Sequence, residues 1–96
     1  MNSFYVVCRG RRIGIYDSWK KCSEYTYGFP DAIYKKCDSI DESIEFAEEH
    51  MPKDYQYYNI LVGDLHRTCN SYETFKDVLE CYQKGKKVIR PIYFVN

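Results

Sequence analysis

Residues 28–37 read GFPDAIYKKC, and Ser18-Trp19 lies just upstream. Two flat rings, Trp19 and Tyr34, stand near a lysine pair, Lys35 and Lys36, and Gly28 and Pro30 mark a turn before that pair. These residue types suit the backbone of a nucleic acid. Lysines meet phosphates, rings pack on sugars, and loop amides and carbonyls reach polar sugar groups. The same stretch also suits an ordinary strand with two solvated lysines and two core aromatics. On its own it leaves both readings open.

The elements that would position these groups follow from periodicity and turn residues. Phe4 to Cys8 and Ile13 to Tyr16 are β-rich runs around the basic turn Arg9-Gly10-Arg11-Arg12, which predicts an antiparallel hairpin. Gly14 weakens the second strand unless a ligand or another backbone comes close there. Ser18 is the better N-cap for a short helix in which Trp19, Cys22 and Tyr25 or Thr26 recur at helical spacing, and Gly28 ends it. Alternation in Ala32 to Cys37 places Ile33, Lys35 and Cys37 on one face of a third strand and Ala32, Tyr34 and Lys36 on the other. At an edge, both lysines still reach solvent. Ser39-x-x-Glu42 is a capping box opening a helix to about Met51, with Ile40, Ile44, Ala47 and Met51 on one stripe and Phe46 beside it.

Pro52 closes this first unit, and residues 52–56 read as a linker. Tyr57 to Val62 predicts a strand, Gly63 to Cys69 a loop, and Asn70-x-x-Glu73 a capping box for a helix to about Lys84 that Gly85 stops. Lys87 to Val95 predicts a last strand, and Pro91 marks it as an edge. The expected fold class is α+β: a three-stranded antiparallel sheet with two helices (ββαβα) over residues 1–51, extended by a β-α-β unit over 52–96 packed on the first. A chain of 96 residues buries a thin core at this size.

Net charge is zero, but its distribution is not even. Residues 1–37 hold seven Lys/Arg against three acids, residues 38–50 hold six acids and no Lys/Arg, and residues 51–96 hold seven basic against five acidic residues. The positive part thus coincides with the stretch described first. Eleven tyrosines place polar-tipped rings at surfaces or interfaces. Five cysteines, an odd number without a CxxC, and no signal-peptide pattern predict reduced thiols in a cytoplasmic or nuclear setting. No apolar run approaches the length of a membrane span.

FYVVCRGRRIGIYDSWKKC followed by GFPDAIYKKC resembles the small N-terminal module of eukaryotic ribonuclease H of type 1, a module shared with the viroplasmin of caulimoviruses. Tyr5, Val7, Gly10, Gly14, Ile15, Tyr16, Ser18, Trp19, Cys22, Phe29, Ala32, Tyr34 and Lys35 fall in step with the family pattern, over residues 4 to about 50. The resemblance implies a sheet that binds RNA/DNA hybrids from the minor-groove side. Trp19 and Tyr34 would flank the DNA strand, and Lys35 and Lys36 would hold a DNA phosphate with help from Tyr5. Backbone groups of Gly28, Phe29, Pro30 and Asp31 would contact ribose 2′-hydroxyls. Arg9, Arg11, Lys20 and Lys21 join the interface on charge, although the hairpin arginines equally suit a solvated tip. The sequence departs from the pattern at Lys21, where an acid is usual, at Thr26, where Val is usual, and at Cys37, where Phe is usual.

The expected partner is therefore RNA/DNA hybrid or, more weakly, double-stranded RNA, read without base sequence. No membrane, metal or cofactor is implied. The second reading is a viroplasmin-like assembly module, or an adaptor recruiting a nuclease or polymerase, with a homodimer or protein contact through residues 52–96; such a chain could be viral. An enzyme is not expected. The acids of residues 38–50 fall on one helix face, unlike the scattered carboxylates of two-metal chemistry. His66-x-x-Cys69 offers two metal ligands where four are usual.

Overall fold

The computed structural model describes residues 3–85. Its first strand, β1 (Phe4–Arg9), shows why a sheet with two covered faces forms. Phe4, Val6 and Cys8 pack into one core, and Tyr5 and Val7 into a second on the other side. The chain continues as β2 (Gly14–Tyr16), α1 (Trp19–Thr26), β3 (Ile33–Cys37), α2 (Ile40–His50), β4 (Tyr58–Val62), β5 (Leu65–Cys69) and α3 (Tyr72–Gln83). The α+β class expected from the sequence holds, but the sheet has five strands, in the order β3-β1-β2-β4-β5.

β1 pairs antiparallel with both β2 and β3, as the hairpin and third-strand readings require. β4 then adds to β2 in parallel, so the sheet is continuous across residues 51–52, the boundary expected from sequence. Parallel neighbours need a long crossover; α1, β3 and α2 supply it here. The junction explains Gly14. A Cβ at that position would lie 2.1 Å from the Asn59 carbonyl oxygen, so only glycine lets β4 dock. Asn59 itself is buried, and its side-chain amide donates to the Ile13 and Tyr57 carbonyls while its Oδ1 accepts from Thr68.

Residues 63–69 correct a sequence expectation. They are not a loop: Gly63-Asp64 is a two-residue turn and β5 pairs antiparallel with β4. Gly63 takes φ +55°, the conformation such a tight hairpin turn demands. The third helix also starts differently, with Ser71 rather than Asn70 as N-cap, its Oγ accepting from the Thr74 N–H. The predicted strand from Lys87 to Val95 lies outside the described residues.

α2 and α3 cover one face of the sheet, and α1 covers part of the other. On the α2/α3 side, Ile15, Cys37, Ile60, Val62, Phe75 and Leu79 close a single core. Residues 52–56 are stitched to that core by Tyr58, whose hydroxyl donates to the Pro52 carbonyl and accepts from the Tyr55 N–H. On the α1 side, Cys22 packs on Val7 and Tyr16, and the buried Tyr16 hydroxyl is satisfied by the Arg12 carbonyl at 2.7 Å.

Candidate nucleic-acid interface

β3 is an edge strand, and its alternation sorts the candidate residues. Tyr34 and Lys36 point to the α1 face, where Lys36 lies opposite Tyr5 and Tyr34 opposite Val7 in the register with β1. Ser18 caps α1 by accepting the Lys21 N–H and so places Trp19 at the first helical position, directly above this corner. The Trp19 ring stands 6.0 Å from Tyr5 and 6.2 Å from Tyr34, centroid to centroid. Trp19 is 53% and Tyr34 46% exposed. These three rings make a tilted aromatic platform open to solvent, with Lys36 in the row beside it.

The Gly28–Asp31 loop adjoins that platform. Trp19, Ser23, Thr26, Tyr27, Gly28, Ala32 and Tyr34 line one groove of ≈ 330 Å³. Gly28 (φ +73°) and Asp31 (φ +56°) both take left-handed backbone conformations. Asp31 is of the type that tolerates this best after glycine. The turn is held by the Phe29 N–H on the Thr26 carbonyl and the Ala32 N–H on the Phe29 carbonyl. No internal hydrogen bond among the described residues occupies the N–H groups of Gly28 and Asp31, or the carbonyls of Gly28 and Pro30. These exposed groups are free to meet a ligand.

Other candidates are placed elsewhere. Lys35 lies on the opposite face of β3 from Tyr34 and Lys36. Its ammonium pairs with Glu42 of α2 at 3.2 Å and sits 5.8 Å over the Phe46 ring, so it covers the aromatic that the helix stripe leaves uncovered. The hydrogen bond to Glu42 raises the Lys35 pKa. The physical reason is the two-residue period of a strand: neighbours cannot share a face. Arg11 is committed to the fold. Its N–H donates to the Tyr25 carbonyl at 2.8 Å, its guanidinium to the Glu24 carbonyl, and it lies over Phe29. Arg9 and Phe29 line a separate depression with Ile33 and His50. Lys20 and Lys21 are exposed in the first turn of α1, without an ion pair among the described residues.

The acids of α2 gather on the far side. Asp41, Glu42, Glu45, Glu48 and Glu49 line a cleft with Glu80 of α3. His66 is exposed with its ring on the Gly63 carbonyl, whereas Cys69 is buried in the α2/α3 core, so the two do not converge as ligands. No described helix is long and apolar enough to cross a membrane. Two groove residues went unread in the sequence, Ser23 and Tyr27. Their signal was the spacing Trp19, Ser23, Tyr27, one helical face at i, i+4 and i+8.

Residues 3–47 match the family described as the ribonuclease H1 N-terminal domain. The chain is 44% identical over 48 residues to ribonuclease H of Crithidia fasciculata, covering 50% of this chain and 10% of that protein. It is 33% identical over 70 residues to ribonuclease H of Schizosaccharomyces pombe, covering 73% of this chain and 25% of that one. With ribonuclease H1 of Mus musculus it shares 37% over 54 residues, 56% of this chain and 19% of the relative. The chain thus matches a quarter or less of the length of these relatives. No solved structure gives a significant match.

Proposed function

We propose that this chain binds RNA/DNA hybrid, and more weakly double-stranded RNA, from the minor-groove side, without base readout and without catalysis. The observation that carries the reading is the convergence of Tyr5, Trp19, Tyr34 and Lys36 on one corner of the sheet, beside a loop with unused backbone groups. Rings packed on a sugar favour the strand that lacks a 2′-hydroxyl. Free loop carbonyls and amides favour the strand that has one. Lys36 supplies the phosphate contact, with the exposed Lys20 and Lys21 at the start of α1, where backbone amides also favour an anion. One surface then reads two backbone chemistries. The match of residues 3–47 to the ribonuclease H1 N-terminal domain family supports the same ligand class.

The test is competition for a labelled hybrid by unlabelled hybrid, RNA duplex and DNA duplex across a salt series. Hybrid should compete best and DNA duplex least. Trp19→Ala should weaken hybrid binding by roughly 1–3 kcal/mol, the scale of an aromatic platform under a nucleotide, with little change in salt slope. Equal competition by all three duplexes, or full affinity in Trp19→Ala, overturns the reading.

A further inference from the structure

The turn between β1 and β2 reaches across to the C-terminal end of α1. Gly10 lets the two backbones meet: a Cβ there would lie 2.6 Å from the Tyr25 carbonyl oxygen and 2.8 Å from the Val7 side chain. The next residue, Arg11, donates its backbone N–H to that same carbonyl at 2.8 Å and its guanidinium to the Glu24 carbonyl at 3.3 Å. The Ser23 and Thr26 carbonyls accept from the Tyr27 and Phe29 N–H groups. All four carbonyls of the last turn of α1 are thus satisfied, two of them by Arg11. α1 has no basic residue of its own in that turn, so Arg11 also supplies the positive charge that a helix C-terminus favours.

The Gly28–Asp31 loop that follows is tied down by the same side chain. Its two backbone bonds, the Phe29 N–H on Thr26 and the Ala32 N–H on Phe29, are local, so they fix the shape of the turn and not its place against the sheet. Its large ring, Phe29, is half-buried, and the Arg11 guanidinium lies over it at 5.9 Å from the centroid. A Cβ at Gly28 would stand 3.7 Å from the Arg11 Nη2, so the guanidinium also borders the start of the loop. An exposed arginine beside a nucleic-acid surface ordinarily reads as a phosphate ligand. This one has its guanidinium engaged by protein groups. We infer that Arg11 is a positioning residue that sets specificity: it holds the loop where its free N–H and carbonyl groups meet the ribose strand, and so favours RNA-containing duplexes over DNA duplex without contacting a phosphate. This rests on the binding reading above and adds to it the residue that preorganises the 2′-hydroxyl contacts. Lysine is no substitute, because a single ammonium does not reproduce a planar fork that donates to a carbonyl while lying over a ring.

The experiment measures binding of the full chain and its Arg11→Ala, Arg11→Lys and Trp19→Ala variants to hybrid, RNA duplex and DNA duplex by fluorescence anisotropy across a salt series. Thermal unfolding of each variant is recorded alongside, and affinities are compared at a temperature where all are folded. Arg11→Ala and Arg11→Lys should each lose about fivefold in affinity for hybrid and for RNA duplex, the scale of one net hydrogen bond to the ribose strand. Affinity for DNA duplex should stay within about twofold, so discrimination narrows by less than one such bond would give if it were complete. The salt slope for hybrid should change by less than half of the roughly 0.9 that a lost phosphate contact gives. A slope shallower by about 0.9 in Arg11→Ala, with Arg11→Lys like the parent, makes Arg11 a phosphate ligand and overturns the inference. An equal loss on all three duplexes overturns it too, as does parent-like discrimination in Arg11→Ala beside a loss of hybrid binding in Trp19→Ala. Unchanged hybrid binding in Trp19→Ala, whatever the Arg11 variants do, removes the proposed function itself.

Discussion

On the α2/α3 side of the sheet, rings pack on rings. Tyr58 meets Tyr72 edge-on and Phe75 at a tilt, all three buried, and Glu48 and Lys53 seal the rim around Tyr72. On the α1 side, Trp19, Tyr34 and Tyr27 spend comparable apolar surface on solvent. The first arrangement is what folding alone rewards. The second leaves large rings wet beside a lysine and a loop with unused polar groups, which folding alone does not reward. The difference is what separates a core from a binding surface within one small sheet.

The largest expected effect breaks that contrast from the core side. Phe75 is fully buried between Tyr58, Tyr72 and Leu79 in the α2/α3 core. Phe75→Ala should destabilise the chain by about 3–5 kcal/mol, read as a lower urea midpoint. Hybrid affinity per folded molecule should be unchanged at temperatures where the variant is folded. A loss of binding beyond the unfolded fraction would mean that the two faces are coupled, and that the sheet transmits core changes to the platform.

Much of this arrangement was legible beforehand, and the failures have identifiable causes. The alternation in β3 already separated Lys35 from Lys36; what it could not show was Glu42, seven residues on, waiting on the other face. The Ser18 and Ser39 caps were readable because a hydroxyl before an amphipathic run has one good use. Gly14 was readable as a close approach but not as a parallel pairing with β4, since nothing local to residues 13–16 names a partner more than forty residues away. β5 reads as a loop because His66, Arg67 and Thr68 are polar enough for one and only Leu65 and Cys69 are apolar. The Gly63-Asp64 turn between alternating runs was the signal that outweighed composition. Tyr27 is not legible from helical periodicity, because the period marks what a helix face buries and not what it leaves exposed.

The next effect sharpens the contrast at a single strand. Lys35 and Lys36 are adjacent, but only Lys36 shares a face with Trp19 and Tyr34. Each phosphate neutralised contributes about −0.9 to the slope of log K against log salt. Lys36→Ala should therefore make the slope for hybrid shallower by about 0.9, and Lys35→Ala by less than half of that. Equal slopes for the two variants would show a duplex reaching around the edge of β3, and would make Lys35 a phosphate ligand despite its partner.

The smallest expected effect concerns that partner. Glu42 accepts the Asp38 N–H at 2.9 Å as well as the Lys35 ammonium, and these contacts, the backbone one first, hold its carboxyl below the usual carboxylate range. Its capping box is shifted by one residue, with the carboxylate on Asp38 rather than on Ser39, while the Ser39 Oγ accepts the Glu42 N–H. A carboxyl depressed in the folded state adds stability above its unfolded pKa of about 4.3, and that increment is lost as pH falls through the lower, folded value. Glu42→Gln should therefore flatten the acid limb of the stability curve, with parent and variant converging toward the bottom of that window. Because strand register rather than the ion pair aims Lys35, the same variant should leave the salt slope for hybrid at neutral pH unchanged. A steeper slope in Glu42→Gln would show that the acidic helix holds Lys35 back from the duplex, and that the two faces are divided by charge as much as by geometry.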